Sequence, residues 1–150
     1  MLQERNRRGL LKTSTFAGAA MLTANSVSAQ QSPPAKLSTH ALDTYLGKQA
    51  AGIRIDFSKQ DGESWKLIKT LHADDNGRVT EKLLTAETMA VGRYELLFYV
   101  QEYYHRVGVD LSNPSYLDTV PVRIAIFDAL QSYHVPLYFS PWSFMSYRGS

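Results

Sequence analysis

Four histidines, at positions 40, 72, 105 and 134, are the first residues to weigh for chemistry. Imidazole is the side chain whose ordinary pKa lies near neutrality, so each could take up or release a proton at physiological pH. None stands in an H-x-H, H-x-x-x-H or H-E-x-x-H spacing, and the chain has no cysteine to complete a zinc set. There is no G-x-S-x-G elbow, no P-loop and no dinucleotide fingerprint, which leaves serine hydrolases and nucleotide-dependent enzymes without support. What remains is a combination of His40, Arg78, His134 and the closing Tyr147-Arg148-Gly149-Ser150. A histidine can take a proton from water, a guanidinium can hold an anion and steady charge growing on oxygen, and a phenol can donate a hydrogen bond. Taken singly, each has a plainer role: a satisfied structural histidine, a solvated arginine after a turn, a packing aromatic.

The elements that must position these residues read as short strands. Tyr133, Val135, Leu137 and Phe139 alternate with His134, Pro136, Tyr138 and Ser140, which sets His134 on the face opposite a buried apolar row. Ser140-Pro141 turns the chain into a short second strand that ends in the terminal tetrapeptide. Lys36 to Thr44 gives a first strand carrying His40, with Asp43 on the opposite face, suited to a local turn or hydrogen bond. Ile53, Ile55 and Phe57 alternate with Arg54, Asp56 and Ser58, and Asp61-Gly62 then turns into a strand from Trp65 to His72. Asp74-Asp75-Asn76-Gly77 is a turn cluster immediately before Arg78. A strand from Arg93 to Val100, a short helix from Gln101 to Val107 and a strand from Val120 to Ile126 follow. Pro121 suits the start or edge of the last of these. Many short strands with turn signals and one short helix indicate an antiparallel β-sandwich.

The amino terminus has the order of an export leader. Arg7-Arg8 resembles a twin-arginine signal, an alanine-rich apolar run from Phe16 to Leu22 follows, and Val27-Ser28-Ala29 offers small residues for cleavage. The expected organisation is a signal peptide over 1–29, a linker over 30–35 and one domain over 36–150, with the mature protein in the periplasm. No stretch is long and apolar enough for a mature transmembrane helix. The leader also explains the net charge of +2: it holds four of the 16 basic residues but only one of the 14 acidic ones, leaving 12 against 13 in the remainder. Without a basic stripe, nucleic-acid or anionic-membrane binding has little support.

Five segments carry a family resemblance: Leu37-Ser-Thr-His-Ala-Leu-Asp-Thr44, Asn76-Gly-Arg78, Gly92-Arg-Tyr-Glu-Leu96, Tyr133-His-Val-Pro-Leu137 and Tyr147-Arg-Gly-Ser150. In this order they resemble the transthyretin-related 5-hydroxyisourate hydrolases over residues 36–150. The closing tetrapeptide is the most diagnostic, because transthyretin hormone carriers share the fold but lack it. The resemblance implies a transthyretin-like sandwich, a homotetramer, and hydrolysis of 5-hydroxyisourate to a ureidoimidazoline carboxylate in urate breakdown, with no metal or organic cofactor. It implies catalytic roles for His40, Arg78 and His134 and substrate contacts for Tyr147 and Ser150, leaving open which histidine is the base. The chain departs from the family pattern at Ser132, where many members have histidine, and at Gln49, Asn76, Trp142 and Phe144. Two other classes stay open at this stage: a transthyretin-like carrier of small ligands, which would want an apolar pocket, and a structural extracellular sandwich, which would not need the polar residues.

Overall fold

The computed structural model describes residues 34–149. The expected leader, most of the linker and Ser150 lie outside these residues. Two four-stranded sheets face each other. One has the order β2-β1-β7-β8, from Lys48–Gln49 (β2), Leu37–Asp43 (β1), Tyr133–Phe139 (β7) and Phe144–Ser146 (β8). The other has the order β4-β3-β5-β6, from Ser64–His72 (β4), Arg54–Asp61 (β3), Gly92–Phe98 (β5) and Val120–Ile126 (β6). One helix, α1 (Val100–Arg106), connects β5 to β6. The expected sandwich with one short helix is therefore present, and β6 with its Pro121 is an edge strand, where a missing N–H is tolerated.

Two features were not anticipated. Among the described residues five of the six strand pairings are antiparallel, but β1 and β7 run parallel, with Leu37 opposite Tyr133 and Asp43 opposite Phe139. The strand expected to run on to Val100 stops at Phe98, and Val100 instead opens the helix with its side chain buried.

The alternation read in the sequence is the alternation of burial. Leu37, Thr39, Ala41 and Asp43 of β1 face inward while Ser38, His40 and Leu42 lie half-buried on the outer face. On β7, Tyr133, Val135, Leu137 and Phe139 are buried. They meet Ile55 and Phe57 of β3 and Leu96 and Phe98 of β5 in one core. Fully burying side chains of this size contributes roughly 1.5–3 kcal/mol each.

Asp43, inward-facing and 1% exposed, would be costly without partners. It has four. Its Oδ1 accepts the backbone N–H groups of Tyr45 and Leu46 at 2.9 and 3.0 Å, which is the local turn its residue type favours. The hydroxyls of Tyr104 and Tyr103 donate to its two oxygens at 2.8 and 3.1 Å. A helix as short as α1 has little stability of its own. These two bonds, and the edge-on packing of both tyrosines against Phe139, hold it to the end of β1. Burial is the main reason both phenols have pKa values pushed well above 10.0, with the carboxylate adding to it.

Candidate active site

The outer face of the β1–β7 pair carries the candidate site. Parallel pairing sets Ser38 beside His134 and His40 beside Pro136. His134 Nε2 lies 2.6 Å from His40 Nδ1, and Ser38 Oγ lies 2.8 Å from His134 Nδ1. The imidazole planes differ by only 14°, with ring centroids 4.8 Å apart. Nitrogens so close between centroids so far apart mean that the rings meet edge to edge, in the alignment an N–H···N bond prefers. Both nitrogens of His134 are engaged. His40 keeps Nε2 free among the described residues.

Arg78 reaches this face by a different route. After β4 the chain turns through Asp74–Gly77. Asp74 Oδ1 accepts the backbone N–H groups of Asn76 and Arg78, both at 2.9 Å, and the Gly77 N–H donates to the Asp74 carbonyl at 2.9 Å. Gly77 adopts φ +69° and lies against β1, where the Ala41 N–H donates to its carbonyl at 2.8 Å. The next residue, Arg78, forms a backbone bridge opposite His40. No carboxylate pairs with its guanidinium among the described residues, so that charge is available to a ligand.

His40, Arg78 and His134 thus line one cleft of about 360 Å3, together with Lys36, Ser38, Ser132 and Tyr133. Burial lowers the pKa of His40 below its ordinary 6.5, and the Arg78 charge lowers it further. Burial likewise lowers that of His134, with additional contributions from His40, Arg78 and Lys36. Both shifts favour the neutral ring at pH 7, the state required of a base. The three side chains converge within one chain.

The carboxyl-terminal segment lies beside this cleft. Tyr147 does not line this cleft. It is exposed and stacks on Tyr138 with centroids 6.3 Å apart, and Tyr138 in turn meets His40 edge-on at 6.3 Å. Tyr147 belongs to a second cleft of about 330 Å3 that has His134 on its wall and reaches β6. Gly149 pairs with His134 through two backbone bonds: its N–H donates at 2.7 Å and its carbonyl accepts at 3.0 Å. Ser150 lies outside the described residues. Lys36 and Ser38 were not singled out in the sequence. The signal for Ser38 was present, since a residue two before His40 shares its strand face. Among the described residues no three His, Cys, Asp or Glu side chains gather as a metal site would require.

Fold and site together define a transthyretin-type two-sheet sandwich with a hydrogen-bonded histidine pair and an arginine on one outer face. Comparison with known proteins agrees. The model of the HIUase/Transthyretin family matches residues 37–149, and the chain belongs to that family. It is 44% identical over 115 residues to 5-hydroxyisourate hydrolase 2 of Rhizobium meliloti, covering 77% of this chain and 96% of that one. It is 38% identical over 125 residues to the 5-hydroxyisourate hydrolase of Pseudomonas aeruginosa, covering 83% and 99%. Among solved structures, an (S)-allantoin synthase superposes with a TM-score of 0.73 at 37% identity; the match covers 78% of this chain but only 44% of the synthase. The 5-hydroxyisourate hydrolase of Klebsiella pneumoniae superposes with a TM-score of 0.64, covering 77% of this chain and 99% of that one; at 24% identity it speaks to the fold alone.

Proposed function

We propose that this protein hydrolyses 5-hydroxyisourate to 2-oxo-4-hydroxy-4-carboxy-5-ureidoimidazoline, with His40 as general base. The observation that carries this is the 2.6 Å bond between His40 Nδ1 and His134 Nε2, which leaves His40 Nε2 as the free imidazole nitrogen beside Arg78. The names of the curated relatives support the substrate. Water held at His40 Nε2 attacks a ring carbonyl carbon while its proton passes to the imidazole. The carbon–nitrogen bond of the cyclic amide then breaks, and the proton goes to the departing nitrogen. His134 orients His40 and shares the charge it gains. Arg78 holds the anionic substrate and steadies the negative charge developing on the carbonyl oxygen. The family resemblance is what supports substrate contacts for Tyr147 and Ser150; within one chain Tyr147 lines the neighbouring cleft, so its contact is made from that side of His134.

The alternative of a small-ligand carrier is less well supported, because the cleft is lined by lysine, serines, histidines and arginine where a carrier would present apolar groups. The active form is a homotetramer in which a second copy covers the outer face bearing His40, Tyr138 and His134, limiting water around the site. The mature enzyme starts at Gln30 and works in the periplasm, as Arg7-Arg8 and Val27-Ser28-Ala29 suggest. An ultraviolet assay on residues 30–150 with freshly generated 5-hydroxyisourate tests the activity; a folded tetramer that leaves the spontaneous decay rate unchanged overturns it. Intact-mass measurement of the native protein tests the leader: retention of residues 1–29 would refute export.

A further inference from the structure

Ser38 leaves the same face of β1 as His40 and sits directly beside His134 in the parallel register. Its Oγ, 2.8 Å from His134 Nδ1, makes a row of three groups that ends at His40 Nε2 in the cleft. We propose that Ser38 is a positioning residue of the hydrolysis: by accepting the Nδ1–H of His134 it selects the tautomer that leaves His40 Nε2 unprotonated. This rests on His40 being the base.

A neutral imidazole carries one N–H. Only one hydrogen fits between His134 Nε2 and His40 Nδ1 at 2.6 Å. If it belongs to His134, His40 must carry its own hydrogen on Nε2, and the cleft faces a donor. If it belongs to His40, Nε2 is a free lone pair and the cleft faces a base. The second arrangement requires His134 to hold its hydrogen on Nδ1, where Ser38 Oγ is the acceptor. A hydroxyl can accept there while its own hydrogen points into the cleft, which Ser38 also lines.

The same contact acts during turnover. When His40 Nε2 takes a proton from water, the Nδ1–H of His40 can shift to His134 Nε2. His134 is then a cation whose two nitrogens are both donors, and Ser38 has to accept. Ser38 therefore favours the protonated pair as well as the productive neutral tautomer. The charged side chains facing the pair are Arg78 from the turn and Lys36 from just before β1, both cations and both opposed to that state. On the far side Arg148 is turned away, with its guanidinium 4.7 Å from the Tyr133 ring and bonded to Gln131.

The test pairs two variants of nearly equal shape. Ser38→Val removes the hydroxyl and should lower kcat about 10–100-fold, the usual range for losing the orienting partner of a functional histidine. KM should change little, and the acid limb of the pH profile should move to lower pH. Ser38→Thr keeps the hydroxyl and should restore most of kcat and the original limb. Long-range proton–nitrogen correlation spectra of histidine-labelled protein should show His134 and His40 both protonated at Nδ1, and the His134 preference should vanish in Ser38→Val. Wild-type His134 protonated at Nε2, or a Ser38→Val variant with unchanged kcat and pH profile, would overturn the proposal. The spectra need no substrate, so loss of the assigned activity and loss of the tautomer assignment are read separately.

Discussion

Gly77 packs so closely on β1 that a β-carbon at this position would stand 2.4 Å from the carbonyl oxygen of Ala41. That contact, one residue from Arg78, is what sets the Arg78 backbone across from His40. Gly77→Ala would meet backbone and not a flexible side chain, at φ +69°. It should destabilise by roughly 1–3 kcal/mol and lower kcat/KM by about tenfold or more as Arg78 moves away. Urea midpoints together with the hydrolysis assay check this; unchanged activity would detach Arg78 from the mechanism.

Gly149 bears on His134 in a similar way. A β-carbon there would lie 3.1 Å from the His134 β-carbon and 3.3 Å from its ring Cδ2. Gly149 is no part of the hydrophobic core, so Gly149→Ala should leave the fold intact while tilting the imidazole. A misplacement approaching 1 Å in a catalytic group lowers the rate by about 10–100-fold. Steady-state kinetics beside circular dichroism tests it, the expected outcome being a native spectrum with a reduced kcat.

The pH profile has a definite sign. His40 and His134 both titrate below 6.5, chiefly because burial disfavours the charged form. The neutral form is the base, so kcat/KM should level off towards neutral and alkaline pH and fall as pH drops through the depressed value. Arg78→Gln removes a cation that contributes to lowering both. Its residual activity should be far smaller, and its acid limb should move up towards neutral pH. A limb that stays in place would show that Arg78 does not act on the pair electrostatically.

Asp43→Ala tests the joint between β1 and the helix. It leaves two buried tyrosine hydroxyls and two backbone N–H groups without their acceptor. Unpaired buried donors cost about 1–3 kcal/mol apiece, so a loss on the order of 2–5 kcal/mol is expected in denaturant unfolding. Asp43 and His40 lie on opposite faces of the strand, so the folded fraction should retain its turnover.

Tyr138→Glu tests assembly. It places a charge on the outer face between His40 and Tyr147. Light scattering should register monomers or dimers in place of a tetramer, with activity lost as well. Because Tyr138 touches His40, the mass decides the matter: an intact tetramer would refute the covered face.

Much of the architecture was legible from alternation alone. The inward row of β7 and the outward position of His134 follow from a period of two, which any strand buried on one side must show. The turn at Asp74–Gly77 was legible because aspartate, asparagine and glycine supply the hydrogen bonds and the positive φ that such a turn needs. Alternation places Ser38 on the face of His40 and Ala41 on the other, but the parts both play depend on what other segments bring to them. Ser38 and His134 are 96 residues apart in the chain, and only the parallel pairing of β1 with β7 sets one nitrogen of His134 against Ser38 and the other against His40. A one-residue slip of that register would turn His134 to the opposite face relative to its partners. Residue types and strand faces were therefore determined locally by the sequence. Which histidine keeps a free nitrogen, and which cation stands beside it, was decided only by the tertiary structure, because hydrogen bonds between distant strands depend on register and not on composition.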